Sequence, residues 1–343
     1  MLTCTWAPTT FKGTSVVRGS PTGMEIPHGE DLIEKVTGYV DTVEQLGISH
    51  LLIAQRWWGS GEEIEASSLD CLAMTAYIAA RCKNLQLITA IHPGFFQPTA
   101  IAKWGTTMDR LTDGRWAINL TSGWNLTEFD MYGIDALEHD ERYRRSAEFI
   151  EIVKGAWAHP TFSYSGTYYQ VDELQLEPRP TRPLTVYQGG QSDAALRLAA
   201  DHSDWMFLNG GPPEKISGII DRARAAFEIT GRTPHFALYA APLCRSSDEQ
   251  AWEEIDARLA RVDSKLVQKR RSRVSGAEGM WENDADPLSA LDTNEGYATR
   301  LIGSPQSVVE QIEEFRSLGV EMLHLDFRDH LFQQEVLPIV HTL

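Results

Sequence analysis

Two hydrophobic periods take turns along this 343-residue chain. Short stretches that are apolar throughout, or at every second position, read as strands. Longer ones with apolar residues three and four apart read as helices. Residues 2–6, 49–54, 85–91, 115–121, 184–188, 205–208, 236–243 and 320–327 read as strands. Helical periods cover 31–46, 67–81, 98–111, 140–156, 192–200, 213–230, 305–318 and the stretch from Leu331 onward. In the first helix Leu32, Val36, Val40 and Val43 share a face, and Gly47 is the stop. At 305–318, Ser304 is placed to cap and Pro305 takes the first helical position. A strand followed by a helix, eight times over, predicts a mostly parallel sheet closed as a (β/α)8 TIM barrel. A doubly wound sheet is the runner-up, but no G-x-G-x-x-G follows the first strand.

Two pieces fall outside the alternation. Residues 162–171 (FSYSGTYYQV) read as a hairpin turning at Ser165-Gly166. The stretch 246–303 is long and irregular. It contains a charged helical period over 251–267, five basic residues within 265–273 (KLVQKRRSR) and a polar run over 275–295. A connection of that length in a compact domain is an insertion or a lid. Its basic run is either a solvated helix face or positive charge carried to an anionic ligand. We therefore expect one barrel domain over 1–343, with insertions after strands four and seven.

The bulk numbers narrow the field. The formal net charge is −17, which argues against nucleic acid and anionic membranes. Any phosphate-bearing ligand would depend on local arginines and backbone amides. No apolar run approaches the ~18 residues of a membrane span. The N-terminal segment lacks the pattern of a signal peptide, so a cytoplasmic location is expected. Cys4, Cys71, Cys82 and Cys244 are widely spaced and read as buried free thiols.

Candidate chemistry gathers where strands end, which is where this fold builds its sites. Asn119 closes strand four; its carboxamide suits a planar ring edge or a carbonyl, or it caps a turn. Arg142 and Tyr143 occupy the first turn of the next helix, an arrangement that favours anions. Glu128, in the loop before them, could hold that arginine or a ring edge, or form a surface pair. Gly189-Gly190-Gln191-Ser192 follows strand five and opens a helix. Its glycines and amides would admit a phosphate, with both Arg142 and Ser192 at a solvent-reached mouth. Gln55, Arg56, Trp57 and Trp58 follow strand two and suit a planar ligand or loop packing. His92 ends strand three. His324, Asp326 and His330 at the end of strand eight lack compact metal-ligand spacing, and no metal is expected.

Four segments carry a resemblance: INLTSGWNLTEFDMYG with EHDERYRRSAEF (118–149), SYSGTYY (163–169), GGQSDAALRLAADHSDW (189–205) and LIGSPQSVVEQIEEF (301–315). Together they resemble the luciferase-like flavin-dependent monooxygenases. Within that family they resemble the pyrimidine (uracil) and dimethylsulfone branches, and the alkanesulfonate branch more distantly. The resemblance implies that reduced FMN, supplied by a separate NAD(P)H:flavin reductase, reacts with O2 to form a flavin peroxide that oxygenates a small molecule. It implies flavin contacts at Gln55, Arg56, Asn119, Glu128, Arg142, Tyr143, Gly190 and Ser192. It places Ala90, with Thr89 beside it, where the pyrimidine branch has a flavin-facing threonine, so Asn119, Ala90 and His92 are the catalytic candidates. Strand seven, HFALYAAPL, lacks the arginine of the alkanesulfonate branch. A neutral substrate, such as a sulfone, amide or heterocycle, is expected in a pocket of Trp6, Trp57, Trp58, Tyr239 and His324. We also expect a homodimer or homotetramer. The competing readings are a deazaflavin-dependent oxidoreductase and a barrel that binds flavin without catalysis.

Overall fold

The computed structural model describes residues 1–11, 15–20, 26–57, 67–273 and 286–343. Eight strands form the barrel: β1 Leu2–Trp6, β2 His50–Ile53, β3 Gln86–Ile91, β4 Trp116–Leu120, β5 Val186–Gly189, β6 Trp205–Leu208, β7 His235–Ala240 and β8 Val320–Leu325. Each pairs in parallel with its neighbours in chain order, and β8 closes onto β1 with Cys4 opposite His324. The pairing of β7 with β8 slips by one residue between Phe236 and Ala237. The (β/α)8 architecture expected from the alternation is the one observed.

Side chains of a strand point alternately to its two faces, so closure divides each strand between two cores. Outward residues such as Leu51, Leu87, Ile118, Val186 and Leu323 join the large core under the helices. Inward residues Cys4, Leu52, Ile88, Ala117, Tyr187, Ala237 and Met322 plug the barrel, with Trp6, Trp205 and Phe207 packed against them. Small Ala117 and Ala237 offset the bulk of Tyr187 and Trp205 on neighbouring strands.

The helices are α1 Gly29–Gln45, α2 Cys71–Ala79, α3 Pro98–Thr112, α4 Leu126–Met131, α5 His139–Ala158, α6 Asp193–His202, α7 Pro213–Thr230, α8 Asp248–Leu259, α9 Ser264–Arg273, α10 Pro305–Leu318 and α11 Leu337–Val340. The cap expected at Ser304 is present, accepting from the Ser307 N–H, and the structure shows Gly319 ending α10 at φ 109°. The helix expected over 67–81 starts only at Cys71, behind the N-cap Asp70. Ser67–Ser68 pairs with Thr10–Phe11 instead. The hairpin turn is longer than a two-residue connection. Ser165 lies opposite Gln170, and the Glu148 carboxylate accepts the N–H groups of Thr167, Tyr168 and Tyr169. All four cysteines are buried and free.

The stretch after β7 is a packed unit. Leu243–Cys244 pairs with Ile302–Gly303, joining its two ends. The helix expected over 251–267 breaks into α8 and α9, where Asp263 accepts from the N–H groups of Lys265 and Leu266. Ala251, Ile255, Val267, Leu288 and Leu291 make a second small core with Val16 and Val17. Arg270 is buried in this unit, where its charge acts on the half-buried Asp292, so the basic run is not wholly a solvated face.

The inner arm of this unit rests on the barrel. The Gly210 N–H donates to the Asn294 carbonyl at 2.9 Å, and a Cβ on Gly210 would sit 1.9 Å from the Glu295 carbonyl oxygen. Gly210→Ala must therefore push the arm away. It should destabilise the protein by roughly 1–3 kcal/mol, seen as a lower Tm, and speed proteolytic cleavage within 286–303. Unchanged melting and cleavage would mean that the arm does not depend on this contact.

Candidate active site

Continuing the inward parity by one step toward the carboxyl ends of the strands gives a cavity. Trp6, Ala54, Ala90, Asn119, Gly189, Phe207, Tyr239 and His324, one inward position from each strand or its tip, line it together. A further step adds His92, Thr121, Gln191 and Asn209. Thr89 faces the other way, its hydroxyl 2.8 Å from that of Thr75 and 2.9 Å from the Trp116 indole nitrogen. Ala90 is thus the cavity-facing residue of that pair.

Among the described residues, three lining side chains carry a buried polar atom without a partner: Asn119 Oδ1, Gln191 Nε2 and His324 Nε2. Buried polar atoms are normally satisfied, so a cluster of exceptions around one cavity marks where a polar ligand docks. Among the described residues, no aspartate or glutamate lines it.

The β5–α6 junction supplies a close approach. Gly190 holds φ +117°, and a Cβ there would lie 2.8 Å from the Ala195 Cβ and 3.1 Å from the Tyr143 hydroxyl. Only glycine fits without strain. Tyr143 and Arg142 reach the cavity from the first turn of α5, and the His139 ring lies 5.0 Å from that of Tyr143. Arg142 is buried rather than at a solvent-reached mouth. Its Nε and Nη1 donate to the carbonyls of Gly123 and Leu137 at 3.2 and 2.7 Å.

Several expected side chains stand behind the wall. Ser192 is buried, and its hydroxyl accepts the Ala195 N–H as the cap of α6, while Gln191 lines the cavity. Glu128 is buried rather than at the surface, and it accepts the Trp57 N–H at 3.1 Å. Trp57 stacks on Phe95 at 4.2 Å, and its indole N–H donates to His92 Nδ1 at 3.0 Å. Trp58 lies outside the described residues. Gln55 lines the cavity with its carboxamide tied to the Cys71 N–H and the Arg56 carbonyl. The Arg56 guanidinium lies 4.9 Å from the Trp124 ring centroid.

The sequence reading missed Trp124, His139, Gln191, Phe207, Asn209, Thr293 and Asn294. Extending the two-residue period past the strand ends finds Gln191, Phe207 and Asn209. Thr293 and Asn294 come from the unit after β7 and carry no local signal. Among the described residues of the basic run 265–273, none lines the cavity. Among the described residues, no three His, Cys, Asp or Glu side chains gather as metal ligands, and no helix is long and apolar enough to cross a membrane.

The profile of the luciferase-like monooxygenase family matches residues 14–322. The chain belongs to that family. It is 34% identical over 313 residues to the FMNH2-dependent dimethylsulfone monooxygenase of Pseudomonas fluorescens (strain Pf0-1), covering 88% of this chain and 85% of the relative. It is 27% identical over 305 residues to the pyrimidine monooxygenase RutA of Enterobacter sp. (strain 638), covering 84% and 83%. The solved structure of the long-chain alkane monooxygenase LadA superposes with a TM-score of 0.79 over 99% of this chain and 91% of that one. At 17% identity that match shows a shared fold.

In this luciferase-like cavity two histidines are held neutral. Burial lowers both His92 and His324 to about 3, with the Arg56 charge adding to the effect on His92. The unfolded chain would protonate them near pH 6.5. As pH falls below that value, the unfolded state gains protons that the folded state refuses, so stability falls. Each histidine should contribute a slope of up to about 1.4 kcal/mol per pH unit until its folded value is reached. Denaturant melts between pH 7 and 5 should show this loss. The slope should be shallower in His92→Gln, which can still accept the Trp57 indole N–H. Equal slopes would mean that His92 is protonated in the folded protein.

Proposed function

We propose that this chain is a reduced-FMN-dependent monooxygenase that transfers one oxygen atom of O2 to a small neutral organic molecule, such as a sulfone, amide or heterocycle. Its flavin is delivered by a separate NAD(P)H:flavin reductase. The relatives' FMNH2 dependence supports the cofactor. The observation that carries the reading is the pairing of a glycine-only approach at Gly190 with the start of α5. The FMN phosphate would rest there on the amides opening α6, with the Arg142 charge and the Tyr143 hydroxyl beside it. Asn119 Oδ1 and Gln191 Nε2, both without protein partners, would take polar edges of the flavin. Bound reduced FMN supplies the two electrons that let one oxygen atom reach the substrate while the other leaves as water. The protein's part is to orient the partners and to keep water out, for which Trp6, Phe207 and Tyr239 form the apolar wall.

The reading is tested by oxygen uptake with FMN, NADH and an added flavin reductase across sulfones, cyclic amides and sulfonates. Oxygenated product from a neutral member is expected, and the purified protein should be nearly colourless. Oxygen-independent hydride transfer from a reduced deazaflavin would replace the proposal. Charge-assisted hydrogen bonds contribute roughly 1.5–3 kcal/mol each, so Arg142→Ala should weaken reduced-FMN binding about tenfold to a hundredfold. Tyr143→Phe should weaken it less. Because Arg142 also holds two carbonyls, circular dichroism must confirm folding. Two folded variants that bind reduced FMN like the wild type would place the phosphate elsewhere.

A further inference from the structure

The cavity has two chemically different halves. Among the described residues, the two lining arginines stand on one side: Arg56 follows β2, and Arg142 lies in α5. The opposite wall comes from β1, β6, β7 and β8 and presents Trp6, Phe207, Tyr239 and His324. Around the His324 ring, Trp6 lies at 4.4 Å, Tyr239 at 5.2 Å and Phe207 at 5.3 Å. His324 is 2% exposed, and its Nε2 has no partner. Asn294, held by its N–H to Asp292 and its carbonyl to Gly210, closes this side from the unit after β7.

We infer that this aromatic wall is the substrate half of the site, and that His324 Nε2–H donates a hydrogen bond to an acceptor oxygen of a small uncharged substrate. The inference rests on the monooxygenase reading above and assigns the substrate's recognition within it. Three facts of the wall carry it. A sulfonate among three aromatic rings would lose its hydration without gaining a counter-ion from them, and the ring faces repel negative charge, which disfavours sulfonates. A neutral imidazole carries one N–H, and with Nε2 free of protein partners the acceptor on the ligand selects the tautomer that donates from it. An apolar surround excludes competing water, so one correctly placed donor discriminates strongly between a molecule that has the acceptor and one that lacks it.

The test is direct binding to the protein loaded with reduced FMN under nitrogen, using dimethyl sulfone, 2-pyrrolidinone and methanesulfonate as probes. The wild type should bind at least one neutral probe more tightly than methanesulfonate. His324→Phe keeps an aromatic ring and removes the donor; it should weaken that binding roughly tenfold. His324→Gln restores an N–H and should recover part of the loss. Reduced-FMN affinity should change less than twofold in both variants. During turnover His324→Phe should raise KM for the neutral probe and increase the share of consumed oxygen released as hydrogen peroxide. The inference is overturned if methanesulfonate binds best, if no neutral probe binds, or if His324→Phe binds the neutral probe like the wild type. It is also overturned if His324→Phe chiefly loses flavin, because His324 would then belong to the flavin half. A wild type that fails to bind reduced FMN at all would instead remove the monooxygenase reading.

Discussion

Everything in this molecule follows from closing a parallel sheet whose side chains alternate. Once β8 pairs with β1, parity decides which residues face the helices and which face the barrel axis. The same rule that buries Cys4, Ile88, Ala117 and Met322 as a plug carries Trp6, Ala90, Asn119 and His324 to the cavity two residues later. A slip of one residue in β3 would exchange Ala90 for Thr89 and unmake the Thr75–Thr89–Trp116 contacts behind it. The plug below and the site above are two levels of one pattern, and the plug gives the site a rigid, dry floor.

The site then solves an electrostatic problem. A protein of net charge −17 repels anions at long range. Its cavity answers with local donors: among the described residues no carboxylate lines it, one arginine stands in the first turn of α5, and the backbone at Gly190 allows close approach. Arg142 is buried and held by two carbonyls, so little order remains to be imposed on it when a ligand arrives. The neutral histidines fit the same logic, since burial keeps them uncharged and leaves the positive charge to Arg56 and Arg142.

Much of this was legible in the chain, and the failures share a cause. Strand and helix order, the cap at Ser304, and the cavity positions of Asn119, Gly190, Arg142 and Tyr143 follow from local patterns and spacing. Position in a motif does not fix where a side chain points. Ser192 is in the expected turn but caps its own helix, Glu128 turns to the Trp57 amide, and Trp57 packs on Phe95 behind the wall. Thr293 and Asn294 could not be found locally, because the contact of their arm with Gly210 spans more than eighty residues of sequence. The split of 236–243 into a barrel strand and a separate pairing with Ile302–Gly303 is likewise a tertiary choice, made because the unit after β7 needs its two ends joined.

The central claim is that the strand-tip cavity holds reduced flavin, with its phosphate at Gly190 and its polar edges at Asn119 and Gln191. The most direct measurement is a crystal structure of the protein prepared anaerobically with reduced FMN. The account predicts phosphate density against the Gly190–Ser192 backbone, beside Arg142 and Tyr143, and flavin atoms within hydrogen-bond reach of Asn119 Oδ1. Flavin bound elsewhere on the barrel, or phosphate density away from Gly190, would contradict it.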